Sequence, residues 1–166
     1  FAVSFDGPIA IRYPRGSAHQ GLQEYQAPVE YGRSEIIRKG KKIAVLGVGS
    51  MIPSCMEICK GLKDDGYDPT FVNVRFVKPL DVDLLDELAK DHSLFVTVEE
   101  NVKSGGYGEH VSAYMEACHP EIRVLSAAVW DRFVPQGNVE SLRSRIGLGV
   151  EDIRQAIEDS EELREQ

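Results

Sequence analysis

The sequence is poor in the residues that staple or anchor a protein. Its 166 residues include three cysteines and one tryptophan. An odd, small cysteine count argues against a secreted disulfide framework and fits a reducing cytosol, so a cytoplasmic location is expected. No apolar run approaches the roughly 18–20 residues that span a bilayer, and no cationic-then-apolar leader opens the chain. Positive charge is also short: 19 Lys and Arg face 27 Asp and Glu, for a formal net charge of −8. Nucleic-acid and polybasic membrane contacts rest on clustered positive charge, so neither partner is expected. What is present, 42% hydrophobic and 28% charged residues, is the composition of an ordinary soluble domain. The length suffices to bury a core without disulfide or metal. The chain opens on Phe1 within a stretch that already reads as structured, and it is expected to be a piece of a longer polypeptide.

Ile9-Ala10-Ile11 is a short β-type run that delivers Arg12-Tyr13-Pro14-Arg15-Gly16. The following residues, rich in Gln, Gly, Ala and Pro, read as a linker. Ser34 to Arg38 and Lys42 to Gly47 are β-type runs joined by Lys39-Gly40-Lys41, which reads as a hairpin. Ser50 can cap a helix whose apolar positions run from Met51 to Leu62, and Gly66 ends it. Thr70 to Val77 is the next strand. Asp81 caps a helix through Leu88, and Leu94 to Val98 follows as a strand. After a Gly-rich turn, a helix runs from about Glu109 to Cys118 and a strand from Ile122 to Val129. Asn138 caps a short helix to Ile146, and Val150 starts a terminal helix that becomes very polar after Ile157. The alternation predicts an α/β fold: a three-layer αβα arrangement around a five-stranded, mostly parallel sheet with one antiparallel edge strand.

Several constellations invite a chemical reading. Gly47-Val48-Gly49-Ser50 lies between a strand and a helix, where free N–H groups can cradle phosphate. It lacks the third glycine of the dinucleotide fingerprint and a Walker lysine, and reads first as a tight turn with a serine cap. Glu99 and Glu100 stand at the C-terminal end of a parallel strand, where open α/β sheets place their sites. Adjacent strand residues point to opposite faces, so the two do not form one acid/base pair. One carboxylate turned inward onto loop N–H groups is the expected arrangement. Cys55 and Cys59 are one helical turn apart, with no further ligands to complete a zinc site. His19, His92, His110 and His119 are scattered, without triad order. Trp130, Phe133 and Pro135 read as an apolar knot serving the core or a domain contact. Arg12 and Arg15 flank a Tyr-Pro kink and look like an anion clamp for phosphate, or else ion pairs at a domain junction.

GPIAIRYPRG (residues 7–16), VRFVKPLD (74–81), VTVEEN (96–101), SGGYG (104–108) and FVPQG (133–137) follow one another in an order and spacing that resembles the 1-deoxy-D-xylulose-5-phosphate synthases. The likeness runs from residue 7 to about residue 157. The RYPRG and RFVKPLD elements are fairly specific to that family, whereas the other two internal motifs are shared more widely among transketolase-like C-terminal domains. The resemblance implies a thiamine-diphosphate transferase that condenses pyruvate with D-glyceraldehyde 3-phosphate and releases carbon dioxide, for isoprenoid and thiamine synthesis. It implies three domains, with the cofactor and magnesium between the first two. On that basis residues 1–16 are the end of the second domain, 17–29 a linker and 30–166 the third domain.

The family's GDG metal motif and its cofactor-activating glutamate are missing from these residues. No catalytic residue, thiamine diphosphate or magnesium is therefore expected on this piece, nor any turnover from it alone. The resemblance does imply that an arginine of RYPRG holds the aldehyde phosphate, either Arg12 or Arg15. It further implies packing on the preceding domains and a homodimer. That gives Arg75, Glu99, Gly105, Gly106 and residues 130–137, Trp130 among them, structural or interface work. The alternatives are the E1 β subunit of a 2-oxo acid dehydrogenase and a stand-alone anion-binding α/β module.

Overall fold

A computed structural model describes residues 1–13 and 19–160. One sheet contains β1 (Glu35–Arg38), β2 (Lys42–Val48), β3 (Thr70–Val74), β4 (His92–Val102) and β5 (Arg123–Val129), in the order β1-β3-β2-β4-β5. Every neighbouring pair is parallel except β1 on β3. Among the described residues, α1 (Ile52–Asp64), α2 (Val82–Leu88) and α3 (Tyr107–Cys118) join strands, and α4 (Val139–Arg145) and α5 (Val150–Glu158) follow β5.

The central strand β2 is apolar because both its faces are covered. Ile43 and Val45 point to one side, into a cluster with Cys55, Ile58 and Leu62 of α1 and Ile153 and Ile157 of α5. Their neighbours Ala44 and Leu46 point to the other, against Leu85 and Leu88 of α2 and Val111 and Met115 of α3. The period-2 alternation of one strand thus serves two helix layers. Each fully buried Leu or Ile adds about 1.5–3 kcal/mol. The result is the expected three-layer α/β domain with one antiparallel edge strand.

Two local expectations differ from the structure. First, β1 and β2 are not a hairpin: β3 lies between them and pairs with both. The three-residue link crosses over the start of β3, held by Lys41 N–H on the Asp68 carbonyl and Gly40 N–H on Thr70 Oγ1. A parallel β3 satisfies β2 and offers β1 an edge of its own. Second, Ile9-Ala10-Ile11 joins no strand of this sheet. An apolar, β-branched run needs a partner strand before it forms a ladder.

The N-terminal ends of β3 and β4 carry a buried polar knot. His92 Nδ1 lies 2.8 Å from the Leu88 carbonyl, and Nε2 lies 2.7 Å from Thr70 Oγ1, which also accepts from Gly40 N–H at 2.9 Å. The pattern assigns a neutral ring, protonated at Nδ1 and accepting from the threonine hydroxyl at Nε2. Burial pulls the His92 pKa down, opposed by the Leu88 carbonyl and the charge of Asp91.

Candidate functional site

The order of the strands sets where a site can form. From β2 the chain moves outward to β3, then returns past β2 to β4 on the other side. The carboxyl ends of β2 and β4 therefore flank a topological switch point, the place where open α/β sheets take their ligands. The Gly47–Ser50 turn leaves β2 there, and Glu99 and Glu100 lie near the end of β4.

The two glutamates diverge as adjacent strand residues must. Glu99 is 3% exposed, and its carboxylate accepts from Tyr107 N–H at 3.0 Å and Gly108 N–H at 2.8 Å. These are orphan donors at the start of α3, where the helix dipole also favours negative charge. The turn before α3 is shaped for this approach. A Cβ on Gly106 would lie 2.6 Å from both Glu99 Oε1 and the Val102 carbonyl oxygen, while Gly105 holds φ +71°. Gly105 N–H donates to the Glu109 carboxylate.

Glu100 turns to the opposite side, across the switch point. Ser50 Oγ donates to its Oε2 at 2.8 Å. Arg143 of α4 makes a fork, with Nε on Oε1 and Nη2 on Oε2, each at 3.1 Å. Burial alone would raise the Glu100 pKa; the Arg143 fork, the Ser50 hydroxyl and the charges of Arg143 and Arg12 outweigh it and hold the carboxyl below its usual range. Ser50 is thus not a helix cap. It lies inside a 3-10 turn, Gly49–Met51, that precedes α1, and α1 has no side-chain cap. Arg143 had no signal in the sequence, being 43 residues from its partner. At the switch point stands a paired carboxylate, an arrangement that repels rather than cradles a phosphate.

Arg12 reaches the same place from the N-terminal segment. Its side chain is exposed, and its Nη2 donates to the main-chain oxygen of Glu100 at 3.2 Å. Among the described residues this is its sole hydrogen bond. Tyr13 beside it is 81% exposed. Arg15, the second candidate for a phosphate contact, lies outside the described residues.

The other candidates fall elsewhere. Arg75 is engaged within the chain: it donates to the carbonyls of Ala27 and Pro28 and pairs with Glu35 at 2.5 Å, tying residues 27–28 to β1. Trp130 and Phe133 form no knot. Trp130 is 57% exposed with Lys103 Nζ 5.1 Å from its ring, and Phe133 stands fully in solvent. Trp130 borders a pocket with Leu125, Ile146 and Ile153, yet both rings lie largely in solvent and neither belongs to the buried core. Cys55 and Cys59 are buried under α1; burial raises the Cys55 thiol pKa well above its ordinary value and that of Cys59 to about 12. His19 and His110 are exposed. His119 pairs with Asp86 at 2.8 Å, which lowers the Asp86 pKa. Among the described residues, no group of three or more His, Cys, Asp or Glu side chains could hold a metal ion. None of the described helices is long and apolar enough to cross a membrane.

Comparison with known proteins follows these features. Residues 32–153 match the family described as the C-terminal domain of transketolase. The chain is 40% identical over 154 residues to 1-deoxy-D-xylulose-5-phosphate synthase of Lachnoclostridium phytofermentans, covering 92% of this chain and 25% of that protein. It is also 40% identical over 159 residues to the synthase of the same name from Nitrosomonas europaea, covering 95% of this chain and 25% of that protein. The chain thus spans about a quarter of the curated relatives it matches. Among solved structures, a split gene transketolase, an inactive beta4 tetramer, superposes with TM-score 0.76 at 28% identity, over 82% of this chain and 45% of that one. A transketolase mutant from Pichia stipitis shares the fold at TM-score 0.55 and 16% identity, over 74% of this chain and 17% of that one.

Proposed function

The chain belongs to the transketolase C-terminal domain family, and from that premise we propose that it is the last domain, with a preceding segment, of a 1-deoxy-D-xylulose-5-phosphate synthase. The observation that carries this reading is the extent of the likeness. Identity of 40% covers 92% of the chain, which reaches beyond the 32–153 span of the domain itself. The polypeptide condenses pyruvate with D-glyceraldehyde 3-phosphate, releasing carbon dioxide, and works as a homodimer in the cytoplasm. Thiamine diphosphate, which stabilises the acyl carbanion of such a reaction, and magnesium are held by its preceding domains. Residues 1–16 end the second domain, 17–29 link, and 30–166 form the third.

In this reading the described residues bind and position but do not themselves react. Arg12 offers an exposed guanidinium beside the switch point. Binding the remote phosphate of the aldehyde there helps to fix its carbonyl carbon, so binding energy is converted into orientation. Glu99 with Gly105 and Gly106 fastens α3 to the sheet, and exposed Trp130 and Phe133 meet other domains or the partner subunit. The chain alone turns over nothing, because the cofactor is held by the preceding domains. The decisive experiment is steady-state kinetics of the full-length polypeptide carrying Arg12→Ala. The Michaelis constant for the phosphorylated aldehyde is expected to rise far more than that for pyruvate. Equal effects on both would remove the phosphate role.

A further inference from the structure

Arg12 and Arg143 approach Glu100 from distant parts of the chain and take different atoms of it. Both carboxylate oxygens go to Arg143, with Ser50 adding a third bond. Arg12 receives only the main-chain oxygen. A guanidinium carries five N–H donors. Exposed, and holding one hydrogen bond to a neutral acceptor, Arg12 keeps most of its capacity for an oxyanion. Beside an unpaired carboxylate it would not, because a charge-assisted, bidentate arginine–carboxylate pair is the stronger bond.

Resting on the reading in which Arg12 holds the aldehyde phosphate, we propose that Arg143 is a positioning residue for that contact: by occupying both oxygens of Glu100, it leaves the Arg12 guanidinium free for the phosphate. The two guanidiniums share one glutamate, Arg12 on its main-chain oxygen and Arg143 on its carboxylate. Ser50 contributes a further bond to Oε2, which helps to fix the carboxylate on Arg143. A phosphate site of this kind depends on a counter-ion that never touches the substrate.

The test uses the full-length polypeptide, with D-glyceraldehyde 3-phosphate and unphosphorylated D-glyceraldehyde as alternative acceptors. Arg143→Met is expected to raise the Michaelis constant for the phosphorylated aldehyde about fivefold, the scale of one partly exposed ion pair gained by Arg12. Efficiency with the unphosphorylated aldehyde and the constant for pyruvate should stay unchanged. Adding Glu100→Gln removes the competing charge and should restore the phosphorylated aldehyde, even though the fork is still absent. The proposal is overturned if Arg143→Met has no effect, if it affects both aldehydes equally, or if the loss persists in the double variant. Arg12→Ala separates the two levels. Should it leave the phosphorylated aldehyde unaffected, the phosphate reading itself fails; should it act while Arg143→Met does not, only the positioning role is lost.

Discussion

Replacing Glu99 by glutamine keeps the size and shape of the side chain and removes only its second acceptor and its charge. In the folded domain the carboxylate is 3% exposed and accepts from Tyr107 N–H at 3.0 Å and Gly108 N–H at 2.8 Å. A glutamine has one carbonyl oxygen and one NH2 group, so however it turns, a donor faces one of the two backbone donors. A hydrogen bond to a charged group is worth about 1.5–3 kcal/mol, and the abandoned buried N–H carries a desolvation penalty of about 1–3 kcal/mol. Loss of negative charge at the start of α3 adds about 0.3–1 kcal/mol. These contributions overlap, and the expected net destabilisation is about 2–4 kcal/mol. For a chain of this length each kcal/mol lowers Tm by about 2–4 °C. Urea denaturation followed by far-UV circular dichroism measures the change directly. Glu100→Gln is the matched control: its carboxylate is 35% exposed, and loss of such a pair should change stability by about 1 kcal/mol or less. If the two neighbouring substitutions proved equally mild, the account of Glu99 as the fastening of α3 would be refuted.

Two adjacent glycines should behave differently for reasons visible only in three dimensions. Gly106→Ala drives a Cβ into Glu99 Oε1 and the Val102 carbonyl at 2.6 Å, and the overpacking should destabilise by about 1–3 kcal/mol. Gly105→Ala meets nothing within 4 Å but must hold φ +71°, and should lose roughly 1 kcal/mol; a larger loss at Gly105 than at Gly106, by urea midpoint, would contradict the geometry. The His92 knot should give the domain an acid sensitivity. Because the folded pKa lies below the ordinary histidine value of 6.5, the unfolded chain binds the proton first as pH falls. Stability should therefore drop below about pH 6.5, by no more than about 1.4 kcal/mol per pH unit, and level off beneath the folded pKa. The comparison is between wild type and His92→Gln at pH 7.5 and 5.5; identical pH slopes would exclude His92 as the source.

Much of the architecture was legible because it follows from local pattern. The apolar run Ile43 to Leu46 announces a strand covered on both faces, Asp81 and Asn138 stand at their helix starts with side chains accepting backbone N–H groups, and Gly66 turns the chain at positive φ after α1. What local pattern does not carry is adjacency. Lys39-Gly40-Lys41 has the length and composition of a hairpin loop, yet the same three residues can span an intervening strand, and only the hydrogen-bonding demand of β3 decides between them. Ser50 has the chemistry of a cap, whose oxygen would accept from a backbone N–H, but here its hydroxyl donates to the Glu100 carboxylate instead. Arg143 was invisible for the same reason: its partner lies 43 residues away, and nothing in a helix reading Val-Glu-Ser-Leu-Arg-Ser-Arg distinguishes one arginine from the next.

The consecutive glutamates show how a strand end divides labour. A pair of carboxylates at the switch point suggests acid/base chemistry, but the period of a β-strand forbids it by sending them to opposite sides. Each instead holds a different helix: Glu99 the start of α3, Glu100 the last turn of α4. The ligand position of an open α/β sheet is thereby closed by an internal ion pair, and the uncommitted positive charge is displaced outward to Arg12, on the segment that leads into the domain. A site placed there is open to groups from outside this chain, whereas a site in the crevice would belong to the domain alone. In the function proposed above, the domain acts on chemistry next door through Arg12, whose surroundings the Glu100–Arg143 pair sets.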